Sequence, residues 1–120
     1  MPKKSLETLT ESMYYVLMAL NAGPLCGIDV TQAIETHTRG RVKLGPATLY
    51  TILGKFEAEG YIKEIEVEGR KRTYAITPKG QQAYLGEVER LRLCLSDAQR
   101  KLEGVESHGE KTAVPAPALS

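Results

Sequence analysis

Residues 44–62, LGPATLYTILGKFEAEGYI, constrain the fold more than any other stretch of the chain. Gly45-Pro46 is suited to begin a helix, because proline at the first helical position gives up only an amide that has no intrahelical partner. Gly60 is suited to end it, since glycine readily adopts the left-handed conformation found after helix C-termini. The apolar residues between these limits recur at i, i+3, i+4 and i+7, and they are Leu49, Ile52, Leu53 and Phe56. The stretch therefore predicts one bounded helix with a single buried stripe.

Two helices are predicted before this one. The first begins after Thr10, whose side chain is suited to cap a helix, and its apolar stripe consists of Met13, Val16, Leu17 and Leu20. Residues 21–27, NAGPLCG, carry the glycine and proline typical of a tight turn. A second helix is expected from about Ile28 to Thr38, and a basic link, RGRVKLG at 39–45, leads into the third. The second helix is expected to bury Val30, Ala33 and Ile34.

After Gly60 the apolar period becomes alternating, which indicates strands. Residues 61–67, YIKEIEV, and 70–76, RKRTYAI, predict a hairpin around a two-residue loop at Glu68-Gly69. Glycine supplies the positive φ that such a turn requires. The residues expected to share a face are Tyr61, Ile65 and Val67 on the first strand, and Arg72, Tyr74 and Ile76 on the second.

A long final helix is predicted from Pro78 to Gly104, with Thr77 as its N-cap. Apolar residues recur along it at alternating spacings of four and three, the pattern of a coiled-coil seam. The seam consists of Tyr84, Val88, Leu91, Leu95, Ala98 and Leu102, flanked by Glu87, Glu89, Arg90 and Arg92 as a polar rim. So small a body cannot bury the whole seam, which therefore predicts a homodimer interface. The alternative is a helix folded back on its own domain.

This order of elements predicts a mainly α fold with a small β-hairpin, a winged helix-turn-helix followed by a long C-terminal dimerisation helix. The expected boundaries are a flexible arm at 1–9, the winged helix-turn-helix at 10–77, the dimerisation helix at 78–104 and a disordered tail at 105–120. The tail has no periodic apolar pattern and is rich in Pro, Ala and Gly, so it is not expected to form a packed core.

Positive charge is concentrated in the middle of the chain, although the formal net charge is only +1. Residues 39–79 hold nine Lys or Arg and five Glu, a net charge of +4, against −2 for residues 1–38 and −1 for residues 80–120. A clustered positive field attracts phosphates, so a near-neutral total does not exclude nucleic acid.

In a winged helix-turn-helix the third helix enters the major groove, and the hairpin, called the wing, lies along the DNA backbone. The polar face of the helix in 44–62 has no acidic residue before Glu57, and its hydroxyls and lysine can bond phosphates or base edges. The predicted DNA-binding residues are Lys43, Ala47, Thr48, Tyr50, Thr51, Lys55, Arg70, Lys71 and Arg72. Two alternatives stay open: the charges only solvate a surface, or the same face binds a protein or RNA.

The residues of other function classes are missing. No Cys, Ser or Asp lies at a spacing that would make His37 a catalytic partner, and Gly45-Pro46 lacks the Gly-Lys-Ser/Thr of a phosphate loop. Cys26 and Cys94 have neither disulfide nor metal-site spacing and are expected to be buried apolar residues. No apolar run is long enough to span a bilayer and no signal segment is visible. The expectation is a cytoplasmic protein with no enzyme activity, metal or cofactor.

Three motifs in order resemble the PadR family of bacterial transcriptional regulators: LGPATLY, then LGKFEAEGYI, then GRKRTYAITPKG, with a similar first helix, LTESMYYVLMAL. The resemblance covers roughly residues 9–100. It implies a homodimeric winged-helix repressor, which binds a palindromic operator in double-stranded DNA and is released by a phenolic or other small hydrophobic effector. It also implies that Thr48, Tyr50 and Lys55 face DNA from the recognition helix and that Arg70–Arg72 do so from the wing.

Two departures from the family pattern stand out. Gly54 occupies a recognition-helix position where the family usually has a larger, often basic residue, and Cys26-Gly27-Ile28 stands where the family has His-Gly-Tyr.

The candidate effector-binding residues are Tyr14, Tyr15, Met18, Val88, Leu91 and Leu95. The alternative is that these six only fill core and interface, in which case the protein would repress without an effector.

Overall fold

In a computed structural model, residues 9–106 of the protein are described, with side chains for residues 9–104. The predicted mainly α fold, with a winged helix-turn-helix and a long C-terminal helix, is confirmed. The helices are α1 (Glu11–Asn21), α2 (Gly27–His37), α3 (Pro46–Glu59) and α4 (Pro78–Glu106), and the strands are β1 (Leu25–Cys26), β2 (Ile62–Glu68) and β3 (Lys71–Ile76).

Helix α3 has the limits and the buried face that its sequence predicts. Gly45 is its N-cap, Pro46 opens it, and Gly60 ends it in the left-handed conformation with φ 78°. The residues of the predicted stripe are all buried and form the centre of the core. That core consists of Leu49, Ile52, Leu53 and Phe56 from α3, Met13, Val16, Leu17 and Leu20 from α1, and Val30 and Ile34 from α2, with Leu9, Tyr61, Ile62 and Tyr74.

The sheet has one strand more than predicted. Its order is β1-β3-β2, with all pairs antiparallel. Leu25 and Cys26, predicted as part of a turn, pair with Tyr74 and Thr73 of β3. A two-residue strand is too short to show an alternating pattern in the sequence. Only its pairing with β3, far along the chain, identifies it as a strand.

Two details of the predicted hairpin are wrong. Glu68 still pairs with Lys71, so the two-residue loop is Gly69-Arg70, with φ 64° at Gly69. A bulge between Glu64 and Glu66 breaks the alternation of β2. Ile65 and Val67 are both exposed, so they do not share a buried face with Tyr61.

A junction of α3, the wing and α4 forms around the Tyr61 carbonyl. Its oxygen accepts a hydrogen bond from the Thr77 amide at 2.9 Å. The Thr77 hydroxyl lies 2.6 Å from the Gly60 carbonyl oxygen and accepts from the Gly80 amide at 3.0 Å, which confirms Thr77 as the N-cap of α4. Gly80 packs so closely here that an added Cβ would overlap the Tyr61 carbonyl oxygen and lie 2.8 Å from Ile76 Cγ1.

Helix α4 continues through Gly104, which was expected to end it, to Glu106. Of the described residues, 9–87 belong to one compact unit and 88–106 to a second. Within the first unit Glu87 is only 6% exposed, so its predicted place in a polar rim is wrong. Cys26 is buried as expected, whereas Cys94 is exposed, contrary to expectation. The predicted arm and tail fall largely on residues 1–8 and 107–120, outside the described residues.

We expect Gly80→Ala to destabilise the protein, because the new methyl group meets backbone that cannot rotate away. Overpacking of this kind costs about 1–3 kcal/mol, more than the helix propensity gained from alanine. Gly86→Ala is the matched control, since it lies in the same helix with no heavy atom within 4 Å of its added Cβ. Urea unfolding should show a lower midpoint for the first variant only. Equal midpoints for the two would contradict the packing role of Gly80.

Candidate nucleic-acid interface

Helix α3 exposes the whole polar face that the sequence singled out. Burial of its apolar stripe turns the opposite side outward, because both follow the same period of 3.6 residues. The predicted residues Ala47, Thr48, Tyr50, Thr51 and Lys55 are all exposed, Tyr50 by 52%. Gly54 lies on the same face with no heavy atom within 4 Å of its ideal Cβ position, so a larger residue would fit there.

The three wing cations differ in their surroundings. Arg70 lies in the loop itself, and Lys71 and Arg72 open β3. The Arg72 guanidinium lies 3.4 Å from a carboxylate oxygen of Glu64 on the neighbouring strand. Within residues 9–106, Arg70 and Lys71 form no ion pair. These two side chains are therefore the ones whose charge is uncompensated at the tip of the wing.

The fold brings Tyr50 and the wing cations together around one cleft of about 410 Å³. The third wall of this cleft, which we call the wing cleft, is the first turn of α2. The cleft is lined by Cys26, Gly27, Ile28, Asp29, Tyr50, Arg70, Lys71 and Arg72. The sequence did not predict that residues 26–29 line this cleft. Cys26-Gly27-Ile28 was noted only because it stands where the family has His-Gly-Tyr.

Two other basic residues are engaged within the protein. Lys43, predicted to bind DNA, lies 3.8 Å from a carboxylate oxygen of Glu35, with both side chains largely exposed. Arg41, which was not predicted as a functional residue, donates to Glu11 at 3.0 Å and to the Tyr15 hydroxyl at 2.7 Å. The hydrogen bond to Glu11, followed by the influence of Tyr15, raises the pKa of Arg41. Arg41 thus ties the loop before α3 to helix α1.

The candidate effector-binding residues do not all line the same pocket. Tyr15 and Met18 line an apolar groove of about 350 Å³, here called the α1–α2 groove, whose other residues are Ala19, Ala22, Leu25, Ala33, Ile34 and His37. Tyr14 does not line it: its ring stacks on Tyr84, with centroids 5.6 Å apart and an interplanar angle of 29°. Burial, with smaller effects of Tyr84, raises the pKa of Tyr14.

Four of the six residues of the apolar seam of α4 are exposed in the single chain. Leu91, Leu95 and Leu102 are 39%, 43% and 36% exposed, and Ala98 is also exposed. Tyr84 and Val88 are half-buried. Leucine side chains at the recurring positions of a helix gain several kcal/mol in total when they are removed from water, so this surface is suited to association.

Two other kinds of feature are absent from residues 9–106. No group of three or more His, Cys, Asp or Glu residues there could hold a metal ion. None of the helices in that part of the chain is long and apolar enough to cross a membrane.

The chain is similar to known proteins in sequence and in fold. Residues 16–85 match the model of the transcriptional regulator PadR-like family. An uncharacterized 37.1 kDa protein in transposon TN4556 of Streptomyces fradiae is 38% identical over 72 residues, which are 60% of this chain and 20% of that protein. The chain therefore spans about a fifth of the length of this curated relative.

Two solved structures show the same fold. A transcriptional regulator from Clostridium thermocellum, Cth-833, is 28% identical, with a TM-score of 0.66 over 73% of this chain and 89% of its own. Bacillus subtilis PadR, solved in complex with operator DNA, is 24% identical, with a TM-score of 0.58 over 65% of this chain and 46% of its own. The family match includes α2, α3, the wing and the second half of α1. By that match, the chain belongs to the transcriptional regulator PadR-like family.

Proposed function

We propose that this protein is a homodimeric repressor that binds a palindromic operator in double-stranded DNA. The observation that carries the proposal is the wing cleft, where the exposed face of α3 meets two wing cations that have no ion pair among the described residues. Helix α3 would read base edges in the major groove through Thr48 and Thr51. Arg70 and Lys71 would hold the adjacent backbone phosphates, which sets the register of the helix.

The charge distribution supports nucleic acid as the partner. Lys55, Arg70 and Lys71 remain without an ion pair within residues 9–106, whereas Arg72 and Lys43 each have a carboxylate within 4 Å. An exposed ion pair is worth little energetically, about 0–1 kcal/mol, so Arg72 and Lys43 can exchange their carboxylates for phosphates. The interface would thus combine three free cations with two that are available at small cost.

The seam of α4 supports the dimer. A palindromic operator presents two half-sites whose centres are about 34–36 Å apart on one side of the duplex, and a two-fold dimer matches that symmetry. The exposed leucines of α4 are the apolar surface that a second copy would cover. By resemblance to the family, the C-terminal helix of one copy would pack on the N-terminal region of the other.

The effector is proposed to be a small hydrophobic or phenolic compound. The α1–α2 groove is apolar and of a size that suits small ligands. Tyr15 lines this groove and also accepts the hydrogen bond from Arg41, which ties the loop before α3. A compound that displaces the Tyr15 side chain would loosen that tie and thereby alter the position of the recognition helix. Val88, Leu91 and Leu95 remain candidate contacts from α4.

The alternative is a winged-helix module that binds a protein or RNA and has no effector. Selection of bound sequences from random duplex DNA separates the two functions. We expect an enriched palindrome with two half-sites. Enrichment of no sequence, together with retention of single-stranded RNA in a parallel selection, would contradict the repressor.

We expect Arg70→Ala and Lys71→Ala each to weaken binding to selected and random duplexes by similar factors, because phosphate contacts carry no sequence information. Each lost contact should also reduce the slope of log affinity against log salt by roughly 0.9. Arg100→Ala is the matched control, since Arg100 is an exposed cation of α4 that pairs with Asp97 at 2.6 Å. Filter binding at several salt concentrations measures both effects. An unchanged slope in the wing variants would remove the wing from the interface.

We expect Leu95→Asp to dissociate the dimer and abolish operator binding, although the wing and α3 are untouched. An unpaired charge buried at an interface costs about 3–5 kcal/mol, which lowers dimer affinity by roughly 100-fold or more. Leu93→Asp is the control, because Leu93 lies on the same helix but outside the seam and is 56% exposed. Sedimentation and operator binding are measured on both variants. A Leu95→Asp dimer that still binds the operator would exclude this seam as the contact.

A further inference from the structure

We propose that Gly27 is a positioning residue for Tyr50, which holds the tyrosine hydroxyl in the wing cleft where it donates to a backbone phosphate. The inference rests on the proposed DNA-binding function and adds to it a residue outside both the recognition helix and the wing. Gly27 opens α2 and is buried, so it does not itself reach the DNA.

The evidence is the space above Gly27. A Cβ added there would lie 2.6 Å from Tyr50 Oη, 3.1 Å from Tyr50 Cζ and 3.3 Å from Leu49 Cδ2. Non-bonded heavy atoms prefer separations of about 3.5–4.0 Å, so the hydroxyl can keep its place only while residue 27 has no side chain. Gly27 is not among the glycines with positive φ. Its backbone would therefore accept alanine, and the requirement for glycine comes mainly from Tyr50, with a smaller constraint from Leu49 Cδ2.

The position of the hydroxyl gives the chemistry of the ligand. Tyr50, Arg70 and Lys71 line the same cleft, and no hydrogen bond within residues 9–106 engages the Tyr50 hydroxyl. A phenol O–H in the same cleft as two unpaired cations is suited to bind phosphate oxygens. The single carboxylate in the cleft, Asp29, accepts from the Cys26 thiol at 3.3 Å, and the cations outnumber it.

The proposal predicts that stability and DNA affinity change in different ways. In Gly27→Ala the severe overlap is with the outer end of an exposed tyrosine, which can rotate into solvent, whereas Leu49 Cδ2 in the core needs to shift by only a few tenths of an ångström. Alanine is also a better helix former than glycine. The variant should therefore unfold at the same or a higher denaturant concentration than the original protein, while its DNA affinity falls. A merely structural glycine would lose both together.

A double-mutant cycle tests the coupling. The proteins are the original chain, Gly27→Ala, Tyr50→Ala and the double variant, each titrated with one selected operator and one random duplex of equal length. We expect Gly27→Ala to lose about tenfold in affinity on both duplexes, the range for a hydrogen bond to a charged group. In the Tyr50→Ala background the same change should cost less than about twofold, because the hydroxyl it displaces is gone. Gly86→Ala is the control and should bind as the original chain does.

Tyr50→Phe gives an independent readout that leaves Gly27 in place. It keeps the ring and removes only the hydroxyl, so it should lose affinity as Tyr50→Ala does, without altered sequence preference. Original affinity in Tyr50→Phe or in Gly27→Ala would overturn the positioning role, as would an equal loss from Gly27→Ala in both backgrounds. Each of these results leaves DNA binding by the original chain intact, whereas failure of that chain to bind any duplex would overturn the proposed function and this inference with it.

Discussion

The burial of one apolar stripe on α3 is the constraint on which the rest of the structure depends. Leu49, Leu53 and Phe56 lie at the centre of the core, so the rotation of α3 about its own axis is fixed. The opposite face must then point outward, and it carries the exposed side chains of Thr48 and Lys55. The proposed recognition surface thus results from packing that takes place on the other side of the same helix.

The end of α3 transmits that constraint to the wing. Gly60 reverses the chain in a left-handed conformation, and the Tyr61 carbonyl immediately after it accepts from the Thr77 amide at the far end of the hairpin. Gly80 then packs against the same carbonyl. The two ends of the wing are therefore held together at the end of α3. The loop of the wing lines one cleft with Tyr50 of that helix. The glycine of the TPKG motif is explained by this contact.

The two departures from the family motifs have different structural meanings. Gly54 occupies open space, so nothing in the fold requires glycine there, and its cost of about 1 kcal/mol in helix propensity is uncompensated locally. In Cys26-Gly27-Ile28 the glycine is retained, and the Tyr50 hydroxyl fills the space above it. The cysteine in place of histidine is buried and its thiol donates to Asp29. The cysteine at residue 26 thus gives the first turn of α2 a polar partner.

The sequence by itself determined the elements whose causes are local. Thr10 and Thr77 cap helices within three residues of their partners, and the period of α3 identifies its buried face, so no distant contact is needed to predict them. The tertiary structure alone decided the pairing of β1 with β3, the bulge in β2, and the partners of the basic residues. Arg41 and Glu11 are 30 positions apart, and nothing near either residue in the chain indicates that they meet. Local hydrogen bonds and periodicity are written in neighbouring residues, whereas contacts between distant segments exist only once the core has fixed where those segments lie.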